Sequence, residues 1–242
     1  MYTHLKCIAL RTVKYDDRRS IVSVWTAERG RLGLLVPAGA SREASRRRAL
    51  MMPLGLFEGE ADIRPGRELF NIHDVKPLAV LPSLSDSPAK AVTALFLAEV
   101  LDRILRDTPP DPALSRFIFE SVVRLDSMNP RGAANFPLVF LARLTAFLGF
   151  EPDLSTWRKG RVFDISGGCY RPSAPISGKW LDAEEAAVAA MVQRLDFDSA
   201  QRFPMPRSVR REIISRLLEY YSIHHVPMAS IHSLPVLIDL FS

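Results

Sequence analysis

The hydrophobic residues follow two different patterns along the chain, a strand-like pattern in the first third and a helical pattern in the remainder. The first third contains short runs rich in Val, Ile and Leu that are separated by polar turns, which is typical of β-strands. The predicted strands are Lys6–Val13, Ser20–Thr26, Arg31–Val36, Leu54–Glu60 and Glu68–Val75. Their spacing of roughly ten residues predicts a small closed or partly closed barrel.

A polar, arginine-rich stretch, Ala38–Arg48, interrupts these strands between the third and the fourth. We predict a solvent-exposed basic loop here. Five strands with such an insertion are the pattern of an OB-fold, a five-stranded barrel that often binds oligonucleotides. The fold class expected from the sequence is therefore α+β, with an N-terminal OB-fold barrel over residues 1–77 and an all-helical domain over residues 78–242.

Beyond residue 77 the hydrophobic residues recur at the three- and four-residue spacing of helices. Ser87 and Asp111 each precede a proline, an arrangement that starts a helix. Further helices are predicted from about Ala133 to Leu148, from the capping box Asp182-x-x-Glu185, over Pro206–Tyr221 and over Leu234–Phe241. Residues 150–181 lose the helical period, and we predict an irregular insert within the helical domain.

The composition limits the class of protein. Of the 242 residues, 48% are hydrophobic and 24% are charged, which excludes a largely disordered chain. The net charge of +5 lies in residues 1–76, which contain 14 Lys/Arg and 9 Asp/Glu, whereas the remainder contains 18 of each. This asymmetry suggests a basic module that meets a polyanion, joined to a neutral body. On charge alone, a merely solubilising surface stays open as an equal alternative.

The sequence carries no motif for enzymatic or metal chemistry. Glycine-rich phosphate loops and nucleophile elbows are absent, and the acidic residues are not paired. Two cysteines, Cys7 and Cys169, cannot make a four-thiolate zinc site, and His224, His225 and His232 lack carboxylates at ligand spacing. We therefore expect no enzymatic activity, no cofactor and no metal. No run is apolar enough for a signal peptide or a membrane span, which favours a cytoplasmic protein.

Basic and aromatic residues of the first third are candidates for contact with DNA or RNA. Arginine and lysine neutralise phosphates, and exposed aromatic rings stack on unpaired bases. The candidates are Arg11, Lys14, Tyr15, Arg19, Arg31, Arg42, Arg46, Arg47 and Arg48. Trp25 lies in an apolar strand, which favours a core position for its ring. Tyr15 lies in a polar turn and is the better stacking candidate.

Several short motifs of this first third follow one another in a recognisable order. Leu10-Arg11-Thr12 ends an apolar strand, Tyr15-Asp16-Asp17 forms a turn, and Glu28-x-Gly30 precedes the strand that leads to the arginine-rich stretch. Together they resemble the N-terminal domain of RecO, a family of bacterial recombination mediators. The segments PAKAVTALFLAEVLDRIL and LARLTAFLGFEPDL, and the C-terminal Ser233–Leu237, extend the resemblance over essentially the whole chain.

The resemblance implies a non-enzymatic role in DNA repair and recombination. Family members bind single- and double-stranded DNA, anneal complementary strands and, with RecR, load RecA onto DNA covered by single-stranded DNA-binding protein (SSB), so association with the nucleoid would follow. They also contact the acidic, aromatic-ended C-terminal tail of SSB, for which an apolar pocket beside arginines is suited. The candidate arginines for this tail are Arg131, Arg143, Arg207, Arg210 and Arg211.

One departure from the family concerns zinc. Many members bind zinc through four cysteines in the insert, whereas here Trp157 and Gly160 stand about where the first pair would be and Cys169 alone remains near the second. We expect the insert to be held by packing around Trp157, Phe163 and Trp180 instead. Two other function classes stay open: a protein–protein adaptor whose OB-like barrel does not bind nucleic acid, and an enzyme with a non-standard site.

Overall fold

A computed structural model describes residues 2–129 and 132–240 of the chain. Its N-terminal strands are β1 (Tyr2–Lys14), β2 (Arg19–Thr26), β3 (Gly30–Pro37), β4 (Leu56–Asp62) and β5 (Leu69–Pro77). They form a closed barrel in the order β1-β2-β3-β5-β4, in which β3 and β5 pair in parallel and the other pairs are antiparallel. The predicted five-stranded OB-fold barrel is confirmed.

Alternating apolar side chains fill the barrel. Cys7, Val24, Leu34, Phe57 and Ile72 belong to one buried cluster, one from each strand. A register shift between Ala9 and Arg11 on β1 leaves Arg11 opposite Ser23 of β2, with its side chain in solvent. Such a bulge re-aims the side chains that follow it. Cys7 is fully buried in this cluster, and that burial, together with the charge of Glu28, raises the pKa of its thiol to about 12.

The arginine-rich stretch forms a helix, so the predicted loop is wrong. Helix α1 (Arg42–Leu50) follows β3, and Ser41 caps its first turn by accepting a hydrogen bond from the Ala44 backbone N–H at 3.1 Å. Ala44 is its buried residue. The segment therefore lacks the apolar stripe by which a helix is recognised in a sequence, while its cap and its arginines and alanines favour helix formation.

Helices that follow the barrel pack against it in one compact unit, Met1–Ser127 with Ile231–Leu237. They are α2 (Pro82–Asp86), α3 (Pro88–Ile104) and α4 (Pro112–Ser127). Trp25 is fully buried, and its indole N–H donates to the Ser115 hydroxyl of α4 at 2.8 Å. The core position predicted for Trp25 is confirmed. β5 ends at Pro77, where the sequence places the end of the barrel domain, although the compact unit extends beyond it.

Two of the predicted helix starts differ in their caps. Asp111 caps α4 through hydrogen bonds from the backbone N–H groups of Ala113 and Leu114. Ser87 precedes α3 as predicted, but its side chain makes no capping hydrogen bond. The C-terminal helix α9 (Leu234–Leu240) begins beside α3, because Glu99 accepts hydrogen bonds from Ser233 and from the His232 backbone. Phe241, included in the predicted helix, lies outside the described residues.

The second compact unit comprises Met128–Ser230 and the residues from Ile238 onwards. Its helices are α5 (Phe136–Phe147), α6 (Ala183–Arg194), α7 (Phe197–Arg202) and α8 (Arg207–His224), and 3₁₀ turns occupy Gly132–Asn135 and Leu154–Thr156. The Asp182–Glu185 capping box at the start of α6 is confirmed. Gly149 follows the C-cap of α5 with a φ of 80°, the left-handed conformation that glycine adopts readily after a helix. Helix α7 was not predicted from the sequence.

The insert is more regular than predicted. Strands β6 (Val162–Asp164), β7 (Cys169–Arg171) and β8 (Trp180–Leu181) form a three-stranded sheet in the order β7-β6-β8. Strands of three and two residues are too short to show an alternating pattern. Phe163 is buried and Trp157 packs against the same cluster, as expected. Trp180 is 42% exposed, so its predicted place in this core is wrong.

Candidate nucleic-acid interface

The turn between β1 and β2 carries the first group of candidate residues. Tyr15 is 52% exposed, and the Arg19 guanidinium lies 5.1 Å from the centre of its ring. Arg19 also donates to Asp16 at 2.8 Å, and Lys14 donates to Asp17 at 2.7 Å. Hydrogen bonds from Arg19 and from the Arg18 backbone lower the pKa of Asp16. These ion pairs are exposed and therefore weak, so a phosphate can compete for both cations.

Backbone and side-chain contacts bring α1 to the same end of the barrel as this turn. The Ala38 backbone N–H, just after β3, donates to the Arg18 carbonyl at 2.7 Å. Arg48 of α1 donates to the Gly39 carbonyl in the same connection. At the other end of the helix, the Thr12 hydroxyl of β1 donates to the Met51 carbonyl at 3.3 Å. The turn and the helix therefore form one continuous surface, which we call the basic end of the barrel: residues 11–19 and 38–48.

The arginines of α1 differ in how available they are to a ligand. Arg42, Arg46 and Arg48 are exposed. Arg47 is half-buried, with 20% of its side chain exposed, and it donates to Glu43 at 3.3 Å. Arg42 and Arg46 are four residues apart and so lie on one face of the helix. The basic end therefore presents three exposed guanidinium groups from α1 beside Arg11, Lys14, Arg19 and the ring of Tyr15.

Arg31 does not lie at the basic end. Its side chain turns toward α3, where Nε and Nη2 donate to the same oxygen of Asp102 at 2.9 and 2.7 Å. Nη2 also donates to the Ser23 hydroxyl at 3.1 Å. The side chain of Asp102 is 7% exposed and that of Arg31 is 26% exposed. Arg31 therefore holds the barrel to α3, and the sequence could not separate it from the other arginines because its partner is 71 residues away.

The arginines proposed for the SSB tail are dispersed in the second unit. Arg131 lies outside the described residues. Arg143 is exposed and donates to the Leu195 carbonyl at 3.3 Å. Arg211 lies on α8 in a separate depression that it shares with Glu212, Arg216 and Glu219. The structure therefore does not bring Arg143, Arg207, Arg210 and Arg211 together around one pocket.

Arg210 lies in a pocket of about 460 Å³ in the second unit. Arg202 and the segment Phe203–Pro206 complete its wall. Arg210 donates to the Asn135 side chain and to the Met205 carbonyl, both at 3.0 Å. Burial, with a smaller effect from the charge of Arg207, lowers the pKa of Arg210. Arg202 is not among the residues predicted from the sequence, although the capping residue Asp196 marks the start of its helix, α7.

Potential metal ligands are dispersed among the residues that the structure describes. Within residues 2–129 and 132–240, no group of three or more His, Cys, Asp or Glu side chains is placed to hold a metal ion. Cys169 is half-buried in β7, and His224 packs on Phe150 and contacts the Ile165 carbonyl at 2.7 Å. Among the described residues, the insert therefore presents no ligand set for zinc. In the part of the chain that the structure describes, no helix is both long and apolar enough to cross a membrane.

Comparison with known proteins covers almost the whole chain. The family model "Recombination protein O N terminal" matches residues 1–81, and "Recombination protein O C terminal" matches residues 86–235. The chain is 34% identical over 235 residues to the DNA repair protein RecO of Phocaeicola vulgatus and to that of Bacteroides fragilis, covering 97% of each chain. It is 32% identical over 240 residues to the DNA repair protein RecO of Porphyromonas gingivalis, covering 98% of both chains.

Proposed function

The chain belongs to the RecO family of DNA repair proteins, and from that premise we propose that it is a non-enzymatic recombination mediator that binds DNA through the basic end of its barrel. One observation carries the proposal: the β1–β2 turn and α1, which are separate in sequence, place exposed cations and the Tyr15 ring on one surface.

Each part of the basic end has a physical role in this proposal. Arg42, Arg46 and Arg48 neutralise phosphates of single- or double-stranded DNA without reading sequence, because they meet the backbone rather than base edges. Tyr15 stacks on an unpaired base, which adds affinity for single strands. Strand annealing follows from the same surface, because it offsets the repulsion between two phosphate backbones. Binding to chromosomal DNA would place the protein at the nucleoid.

A titration of fluorescent single-stranded DNA at several salt concentrations tests this proposal. The variant R42E/R46E/R48E removes three exposed cations, and for single strands each lost phosphate contact lowers the slope of log K against log salt by about 0.7. We therefore expect a slope that is smaller by about 2, together with loss of annealing. The matched control, R106E/R116E/K159E, changes the net charge equally at exposed sites elsewhere.

The outcomes of this titration separate the function classes. An unchanged slope in the control and a reduced slope in the α1 variant support the proposal. An equal decrease of the salt slope in both variants would mean that DNA binding depends only on the net charge of the protein. That result would contradict an interface at α1. Absence of any salt-dependent binding by the wild-type protein would favour the adaptor, in which the barrel does not meet nucleic acid.

We further propose that the pocket of Arg202 and Arg210 receives the acidic tail of SSB. Its support is the combination of two guanidinium groups with the apolar segment Phe203–Pro206, since a tail of this type needs charge-assisted hydrogen bonds and an apolar seat. A labelled acidic peptide that ends in phenylalanine should bind the wild-type protein and lose affinity in Arg202→Ala. Arg143→Ala removes an exposed arginine outside this pocket. It serves as the control and should leave the affinity for the peptide unchanged.

Cooperation with RecR and loading of RecA complete the proposed role. Both rest on membership in the family rather than on a surface that we assign. A loading assay on DNA covered by SSB, with RecR present, would test them. We expect the α1 variant to fail in this assay and the charge-matched control to support loading.

A further inference from the structure

A second pocket in the same unit differs from the one at Arg202 and Arg210 in size and in polarity. It is a cavity of about 230 Å³ between α6, α8 and the small sheet. Its apolar wall includes Val188 and Ala189 of α6 and Val209, Ile213 and Leu217 of α8. A cavity of about 150 Å³ can hold benzene, so this one has room for a leucine or phenylalanine side chain.

The wall of this pocket is an apolar helix face that the fold leaves partly uncovered. Val209, Ile213 and Leu217 recur every four residues along α8, which places them on one stripe. The sequence pattern predicts that all three face inward, yet Val209 and Leu217 are only half-buried. Val188 and Ala189 on the facing side of α6 are half-buried as well. Their exposed apolar surface is the kind that a bound side chain covers.

The polar groups on the floor of the pocket are satisfied by one another. The Tyr170 hydroxyl donates to the Gln193 side chain at 2.8 Å, and that amide donates to the Pro152 carbonyl at 3.4 Å. Burial raises the pKa of Tyr170, so the ring stays neutral. Because these polar groups already have hydrogen-bond partners, the floor of the pocket is suited to an apolar group rather than to a charged one.

The rim of the pocket is acidic. Glu184, Glu185 and Glu212 line it, and among the described lining residues the cation is Arg216. Arg216 donates to Glu185 at 2.8 Å and lies 3.4 Å from Glu219 and 3.7 Å from Glu212. Three carboxylates thus surround one guanidinium, and the hydrogen bond with Glu185 raises the pKa of Arg216. Glu184 and Glu212 remain exposed to solvent.

We propose that this pocket binds an apolar side chain carried by a lysine- and arginine-rich peptide segment of a partner protein. The negative rim attracts cations that flank such an anchor and repels an acidic peptide. The second unit thus presents two pockets of opposite preference: the one at Arg202 and Arg210 suits an acidic segment, and the one between α6 and α8 suits a basic segment.

Three matched peptides test the proposal on the full-length protein by fluorescence anisotropy at low salt. The first places one phenylalanine among lysines, the second replaces the lysines by glutamate, and the third replaces the phenylalanine by alanine. We make the comparison in the Arg202→Ala background, because the glutamate peptide could otherwise bind at the pocket of Arg202 and Arg210 proposed above. In that background we expect the first peptide to bind and each of the others to bind at least about tenfold more weakly. The peptides are short enough that none needs to fold.

Two pairs of variants assign the binding to this pocket. E184K/E212K reverses two exposed rim charges and should weaken the lysine-rich peptide by about tenfold, whereas E68K/E120K makes the same change at exposed positions outside the pocket and should not. Ala189→Leu narrows the cavity and should weaken binding without changing the rim. Binding of the acidic peptide at this rim, or an affinity for the basic peptide that E184K/E212K leaves unchanged, would overturn the proposal.

Self-association has its own readout. If sedimentation equilibrium shows a dimer that E184K/E212K dissociates, the occupant is a second copy of the chain, and the proposal of a partner segment is wrong. DNA binding by the basic end is measured separately and should be unaffected by these variants. A failure at the pocket is therefore distinguishable from a failure at the barrel.

Discussion

Arg11 and Arg31 look alike in the sequence, but the structure gives them opposite roles that mutation can separate. Arg11 is exposed at the basic end, whereas Arg31 donates two hydrogen bonds to the nearly buried Asp102 of α3. We compare Arg11→Met with Arg31→Met. Both substitutions remove one positive charge and keep a long apolar side chain.

The expected magnitudes follow from burial. Arg31→Met leaves the Asp102 carboxylate, which is 7% exposed, without its cation, and breaking a buried pair in this way costs about 3–5 kcal/mol. Because the Arg31 side chain is 26% exposed, water screens part of the interaction, and we expect a loss of about 2–3 kcal/mol. Arg11→Met should change the stability by less than about 0.5 kcal/mol, as is usual for an exposed position.

Urea unfolding followed by fluorescence measures the loss. Trp25 pairs with Arg31 across β2 and β3 and is fully buried, so its emission reports on this part of the barrel. The background W157F/W180F removes the other tryptophans. In the DNA titration, Arg11→Met should lower the salt slope by about 0.7 and Arg31→Met should leave it unchanged. A stable Arg31→Met variant with a reduced slope would refute our assignment of Arg31.

Three further predictions concern single interactions. Ser115→Ala leaves the buried Trp25 indole N–H without its acceptor and should cost about 1–3 kcal/mol in urea unfolding, whereas an unchanged midpoint would contradict the hydrogen bond. Burial alone would raise the pKa of Glu99, but hydrogen bonds from Ser233 and the His232 backbone lower it overall. The ionised Glu99 therefore stabilises the folded protein fully at neutral pH, and this contribution is lost as the pH falls through the lowered pKa. Glu99→Gln should remove this acid-dependent part of the free energy of unfolding. A pH profile of stability identical to that of the wild type would contradict this role of Glu99. Asp182→Ala breaks the capping box of α6 and should cost about 0.5–2 kcal/mol by thermal unfolding, which an unaltered melting temperature would exclude.

Periodicity was a good guide to the long elements and a poor one to the short or uniformly polar elements. The barrel strands and α3, α4, α5 and α8 follow from their apolar spacing. Helix α1 does not, because it buries a single alanine, and neither do strands of two or three residues. A pattern of period two or four needs several turns or pleats before it differs from chance.

The candidate site shows a different limit of the sequence. The arginine-rich stretch indicated a basic surface on the first third, and the structure adds that α1 meets the β1–β2 turn. The separate role of Arg31 depends on Asp102, which is distant in the chain. Tertiary contacts between helices likewise bring Arg202 and Arg210 to one pocket and place carboxylates around Arg216. Contacts between residues that are distant in the chain cannot be predicted from the local spacing of hydrophobic and polar residues.

Closure of the barrel has a consequence for how binding can evolve. Because β3 and β5 pair and complete the ring, each of the five strands has a paired neighbour on both sides, and none is an edge strand along its whole length. Recognition at the barrel therefore relies on side chains and turns rather than on the addition of a strand. Single substitutions change these side chains without disturbing the backbone hydrogen bonds between strands. Relatives that share about a third of their residues can therefore keep this fold while their barrels differ in ligand preference.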